Sequence, residues 1–183
     1  MSKTSEVLEK VILVDEADNV LGEMEKMEAH RKGILHRAFS VFVMDSKNRL
    51  LLQRRALDKY HSPGLWTNTC CSHPRTGESA AQAAHRRMME EMGFDCPLDE
   101  VFTFRYRASF DNGLTEHELD HVLIGFSGEI PNPNPEEVHE YKWMPLPEIT
   151  KDIRNNPEMY TVWFRIAFDK VTAYLNSMKT SGS

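Results

Sequence analysis

Glu116 and Glu118 stand two residues apart at the start of a segment whose later residues of the same parity are Val122, Ile124 and Phe126. Side chains at i and i+2 of a strand share a face, so both carboxylates begin on the face that becomes apolar further along. A buried acid needs a metal, another cation or a proton. The segment alone favours the alternative, in which the strand starts at an exposed sheet edge and both acids are solvated. Three histidines widen the choice. His30 and His36 bracket a short polar segment ahead of a strand, and His73 lies in a loop ahead of a helix. Imidazole and carboxylate together suit a first-row divalent ion. The spacing matches no standard zinc signature, and each histidine alone reads more simply as a surface or capping residue.

Glu91 falls on the arc of Ala80, Ala84 and Met88, with Arg87 one turn earlier. A carboxylate on an apolar helical face reads either as a contact to a metal or diphosphate, or as half of an ordinary helical ion pair. Arg54, Arg55 and Lys59 cluster after a strand, and Arg86 and Arg87 sit on the helix. The planar guanidinium fork suits phosphate oxygens, although such a run also serves as a solvated edge. Cys71, beside His73 in a polar loop, is a candidate proton donor or acceptor, because neighbours tune a thiol pKa. The simpler reading is an inert cysteine.

These residues need elements to hold them. Val11–Val14 is a short apolar run, Asp15–Asn19 is turn-like, and Val20–Leu21 begins a return strand. His36–Met44 is rich in β-branched and aromatic residues, and with Leu50–Gln53 it reads as a hairpin. Tyr60–Pro74 reads as a loop. Ser79–Met92 has helical spacing, with Gly93 as its stop. Phe102–Phe110 and Thr115–Phe126 read as strands joined by the turn Asp111-Asn112-Gly113. The run Pro131–Pro135 cannot sit inside a sheet. Tyr141–Met144 reads as a short strand, and from Tyr160 the spacing of Trp163, Phe164, Ala167, Val171 and Leu175 marks an amphipathic helix. Residues 178–183 are expected to fray.

The 183 residues suffice for one domain with a real core, and no linker or repeat divides them. A net charge of −6 argues against a nucleic-acid binder but leaves room for a local basic pocket. Three cysteines, two of them adjacent, make a poor disulfide framework and point to a reducing, cytoplasmic setting. The charged start MSKTSEVLEK is unlike a signal peptide, and no stretch approaches a membrane span. No dedicated interface stands out, so a monomer is expected.

Three segments in order now resemble one family: EAHRKGILHRAFS at 28–40, PGLWTNTCCSHP at 63–74, and FRYRA at 104–108 followed by TEHEL at 115–119. With the helix AAHRRMMEEMGF at 83–94, they resemble type I isopentenyl-diphosphate delta-isomerase over about residues 10–170. The resemblance implies a Nudix-like fold, an α/β (α+β) domain whose mixed β-sheet is flanked by helices. It implies that His30, His36, His73, Glu116 and Glu118 bind a divalent ion, manganese or zinc. It implies catalytic roles for Cys71, Glu118 and Tyr106. Glu91 and Cys71 match a magnesium and diphosphate site. Lys26, Arg55, Lys59 and Arg87 match diphosphate-binding positions, and Trp163 matches an aromatic residue over the hydrocarbon end of the substrate.

The chain departs from the usual Nudix helix pattern. Arg87 replaces the first glutamate of the Arg-Glu pair, and Ser72 replaces the leading glycine. Loss of that acid disfavours the nearest rival, a Nudix pyrophosphohydrolase acting on nucleoside diphosphate derivatives. A rival of another class is a catalytically dead metal or diphosphate sensor, and the intact Cys71, Glu118 and Tyr106 set argues against it.

Overall fold

The computed structural model describes residues 8–182. Residues 1–7 of the charged N-terminal stretch, and Ser183, lie outside the described residues. The strands are β1 (Lys10–Val14), β2 (Val20–Glu25), β3 (His36–Met44), β4 (Arg49–Arg55), β5 (Trp66–Thr67), β6 (Cys70–Ser72), β7 (Leu98–Ser109), β8 (Thr115–Phe126) and β9 (Val138–Pro145). The helices are α1 (Lys26–Lys32), α2 (Ala80–Met92), α3 (Leu146–Asn155) and α4 (Val162–Ser181), with a 3-10 turn at Pro157–Met159.

β3 is the centre of the sheet. It pairs in parallel with β8 along its whole length, from His36 opposite Glu118 to Met44 opposite Phe126. Its other edge takes β6 antiparallel, with Ser40 opposite Cys71. With both edges occupied, β3 meets β4 only at Met44 and Leu50, so the expected hairpin joins at its base and then opens. β4 pairs instead with β9 and β5.

The alternation of β3 sorts two cores. Phe39, Val41 and Val43 face α2, where they pack with Ala84, Met88 and Leu123. Phe42 and Met44 face α4 and pack with Val122, Ile124, Trp163, Phe164 and Phe168. The same face continues toward the start of β3 as His36 and Ser40, and toward the start of β8 as Glu116, Glu118 and Asp120. Phe126, expected on the apolar face, is exposed at the strand end.

α2 starts on a capping box, in which Ser79 and Gln82 satisfy each other's backbone N–H groups. It stops at Gly93, where φ is 71°. A Cβ there would also lie 2.3 Å from the Asn132 carbonyl oxygen, so glycine is required twice over. Five elements depart from the sequence expectations. α1 is a seven-residue polar helix capped by the Glu25 carboxylate, which accepts from the Met27 and Glu28 backbone N–H groups. α3 follows β9 directly, and β5 and β6 lie within the segment expected to be loop. α4 continues to Ser181, so residues 178–181 are helical rather than frayed. No helix among the described residues is long and apolar enough to cross a membrane.

Candidate active site and metal centre

The polar end of the α4-facing sheet surface opens into a narrow cavity of about 130 Å³. Glu116 and Glu118 lie in its wall, 3 % and 5 % exposed, so the solvated reading of these acids is set aside. Pairing contributes to this burial: Glu118 lies between Tyr106 on β7 and His36 on β3, and Glu116 pairs with Ala108 on β7.

Three imidazoles converge on Glu118. His73 Nε2 is 3.0 Å from Glu118 Oε1, and His36 Nε2 is 3.5 Å from the same oxygen. The His30 ring centroid lies 5.0 Å from that of His36 and 5.7 Å from that of His73. His30 and His36 are both anchored through Nδ1, to the Lys26 carbonyl at 2.6 Å and the Ile34 carbonyl at 2.8 Å. Such an anchor fixes the ring and leaves Nε2 to face the centre.

The protonation states define what the centre lacks. Burial pushes His30 down to about 4, so its ring is neutral and its fully buried Nε2 is a bare lone pair without a partner among the described residues. Burial also works against charge on His36, but the Glu118 carboxylate outweighs it and raises its pKa. For Glu118, burial opposes ionisation, while His36 and His73 hold it well below the usual carboxylate range. The donor atoms of His30, His36, His73 and Glu118 all lie within 4.8 Å of one another. Four ligands at about 2.1 Å around one ion stand about 3.4 Å apart when tetrahedral, so inward shifts of up to about 1 Å would close the set. The buried, unpartnered Nε2 of His30 therefore fits an ion bound at this point.

Tyr106, on the neighbouring strand β7, donates its hydroxyl toward Glu116 Oε2 and Glu118 Oε2, each at 2.7 Å. Burial and the adjacent acids push its pKa far up, so it stays a neutral phenol. Cys71 faces the same cavity from β6, on the other side of β3. Burial raises its pKa well above the usual thiol value, with Arg55 opposing, so it carries its proton.

Cations gather at the rest of the lining. Lys26 pairs with Glu9 at 2.5 Å, and Lys59 pairs with Glu137. Arg87 binds Glu91 Oε1 at 2.6 Å and Glu90 at 2.8 Å. Glu91 is thus half of a buried ion pair that also accepts from Gln53, which combines both sequence readings: an ion pair, but one that lines the cavity. Arg55 lies over the Trp163 ring at 5.3 Å. Among the sequence candidates, Arg54 and Arg86 turn elsewhere, to Glu140 and Glu78. The others line the cavity or, for His30 and His36, lie buried against His73.

Sequence reasoning missed two residues here. Asp120 is buried on the same face, accepts from the Ser40 hydroxyl at 2.8 Å, and is held neutral by burial and the Glu118 charge. The two-residue period that singled out Glu116 and Glu118 extends to it. His61, whose Nε2 lies 2.7 Å from Glu116 Oε1, comes from a loop with no periodic signal.

Residues 34–164 match the NUDIX domain family. The chain is 51 % identical over 176 residues to a protein of Pectobacterium atrosepticum named isopentenyl-diphosphate Delta-isomerase, covering 96 % of this chain and 98 % of the relative. It is 55 % identical over 163 residues to isopentenyl-diphosphate Delta-isomerase 2 of Aromatoleum aromaticum, covering 89 % and 86 %. Among solved structures, DR0079 of Deinococcus radiodurans superposes with a TM-score of 0.75 at 19 % identity, covering 88 % of this chain and 98 % of that one. A MutT protein of Methanosarcina mazei superposes at 0.63 with 18 % identity, covering 76 % and 94 %. These two structures speak to the fold alone.

Proposed function

The chain belongs to the isopentenyl-diphosphate Delta-isomerase family of NUDIX-domain proteins, and from that premise we propose that it interconverts isopentenyl diphosphate and dimethylallyl diphosphate. The reaction adds a proton at one end of the allyl unit and removes another from the far side. Atoms and charge therefore balance with one donor and one acceptor. Protonating an unactivated alkene passes through a tertiary carbocation.

Cys71 and Glu118 are the acid/base pair. They face one cavity from strands on either side of β3, one as a protonated thiol and the other as a carboxylate. A pair held in opposite protonation states is what a one-donor, one-acceptor reaction needs, and the reverse reaction exchanges their roles. Their placement on the two strands that flank β3, with both lining one cavity, is the observation that carries the reading. Tyr106 steadies Glu118 through its hydroxyl. Trp163 offers a ring face to the carbocation, worth about 0.5–2 kcal/mol. Closure of the site over the bound substrate would keep water from trapping the cation as an alcohol.

Lys26, Arg55, Lys59 and Arg87 hold the diphosphate and so position the short prenyl chain. His30, His36, His73, Glu116 and Glu118 would hold one divalent ion, manganese or zinc, and Glu91 with Cys71 a magnesium ion; when bound, the first supplies the charge that fixes Glu118 and the second neutralises the diphosphate. Arg87, in place of a helix acid, pairs with Glu90 and Glu91 and supports the isomerase over hydrolysis. The reading extends to a monomer in a reducing cytosol, supported by free thiols at Cys70, Cys71 and Cys96.

The test is incubation with magnesium and isopentenyl diphosphate in deuterated water, followed by NMR of the product. Deuterium-bearing dimethylallyl diphosphate, absent with Cys71→Ala, is the expected result. Unchanged substrate from folded, metal-loaded protein would sink the proposal.

A further inference from the structure

We propose that His61 is a positioning residue that fixes the carboxylate of Glu116 for the divalent ion, an inference that rests on the metal-site reading above. His61 lies in the segment between β4 and β5 and is 5 % exposed. Its ring is held on three sides: stacked on Phe110 at 5.1 Å and 4°, edge-on to Trp163 at 5.5 Å, and against Tyr60 at 4.3 Å. Its backbone carbonyl accepts from Arg55 at 3.2 Å. A ring so confined presents Nε2 in one direction, and Glu116 Oε1 is there at 2.7 Å.

The other oxygen of Glu116 takes the Tyr106 hydroxyl at 2.7 Å. With the Tyr106 hydroxyl on one oxygen and the His61 ring against the other, the plane of the carboxylate is set. One lone pair on each oxygen remains for an ion. Partners of this kind fix the orientation of a metal-binding carboxylate, and their loss typically weakens metal affinity about 10–100-fold.

His61 could instead be read as a ligand, since His30, His61 and Glu116 also converge. The distance decides against it. Two ligands sharing an ion at about 2.1 Å stand about 3.0–3.4 Å apart, whereas His61 Nε2 and Glu116 Oε1 are in direct polar contact at 2.7 Å.

The experiment is zinc affinity and stoichiometry, read by chelator competition on the full chain, for His61→Phe and His61→Gln. Both substitutions are also placed in a Glu116→Gln background, with His36→Ala as a control on the site itself. Loss of about 10–100-fold in His61→Phe is expected, with most of the affinity kept in His61→Gln, whose amide N–H replaces Nε2. In the Glu116→Gln background, His61→Phe should add no further loss. Wild-type affinity in His61→Phe, an equal loss in both backgrounds, or one zinc ion fewer per chain in His61→Gln would each overturn the proposal. If His61→Phe does not fold, His61→Asn, too short to reach Glu116, must lose affinity where His61→Gln keeps it. Unchanged affinity in His36→Ala would bring down the metal-site reading itself, and His61's role with it.

Discussion

Tyr106 stands directly across the β7–β8 ladder from Glu118 and donates to its Oε2 at 2.7 Å. The same hydroxyl is equally close to Glu116. A phenol has one hydrogen, so only one carboxylate receives it at a time.

Removing this donor should move the chemistry more than the binding. A hydrogen bond to the ionised form lowers a carboxylate pKa, so Tyr106→Phe should raise that of Glu118. The acidic limb of the kcat/KM profile should shift to higher pH, with kcat falling and KM little changed. A limb that stays in place would mean that Tyr106 does not tune Glu118.

Metal loading should stabilise the fold, because it supplies the charge that two buried acids and a bare imidazole nitrogen lack. At about 100 times its Kd, an ion adds about 2.7 kcal/mol. For a chain of this size that corresponds to a rise in Tm of about 5–10 °C. Calorimetry after chelation and after readdition of zinc or manganese measures it, and His36→Ala should abolish the shift.

His30 sets a pH dependence in the metal-free protein. Its folded-state pKa of about 4 lies below the ordinary 6.5. The unfolded chain therefore binds the extra proton first, and stability falls as pH drops from 6.5 toward about 4. In His30→Gln this contribution is gone. Urea titrations at pH 7 and pH 5 should show wild type losing more stability than the variant; equal losses would refute the neutral buried ring.

Arg87 and Glu91 should fail together. Glu91 has only 7 % of its side chain exposed, so Arg87→Met leaves a buried charge with little compensation. A loss of about 3–5 kcal/mol is expected. Arg87→Met combined with Glu91→Gln should recover much of it. If the double variant is as unstable as the single one, the coupling is absent.

Local pattern was enough to place β3, β8 and α2 with nearly their observed ends, because each carries a strong apolar period or a cap. It could not place β8 beside β3, since nothing within Thr115–Phe126 names a partner some 80 residues earlier. That pairing sets Glu118 inside the sheet, which the segment alone could not show, and so the segment pointed to solvated acids. α1 escaped notice because KMEAHRK has no apolar stripe, and its cap, Glu25, is an uncommon one. The site residues were legible chiefly through motif resemblance, which carried thirteen positions to one place. His61 stayed hidden because its role comes from a loop closing over β8, a contact with no local signature.

The nine-residue parallel register of β3 and β8 has a consequence for how the chain reaches its native state. The β7–β8 hairpin closes locally and brings Tyr106 to Glu118 early, whereas His36 must arrive across a long loop, a slow step in folding. A slip by one residue would put His36 opposite Leu119 and turn Glu116, Glu118 and Asp120 to the far side of the sheet. An ion that requires His36 and Glu118 side by side penalises every such slip. The metal centre would then act as a proofreader of strand alignment, rewarding the one pairing in which Glu118 faces its cavity.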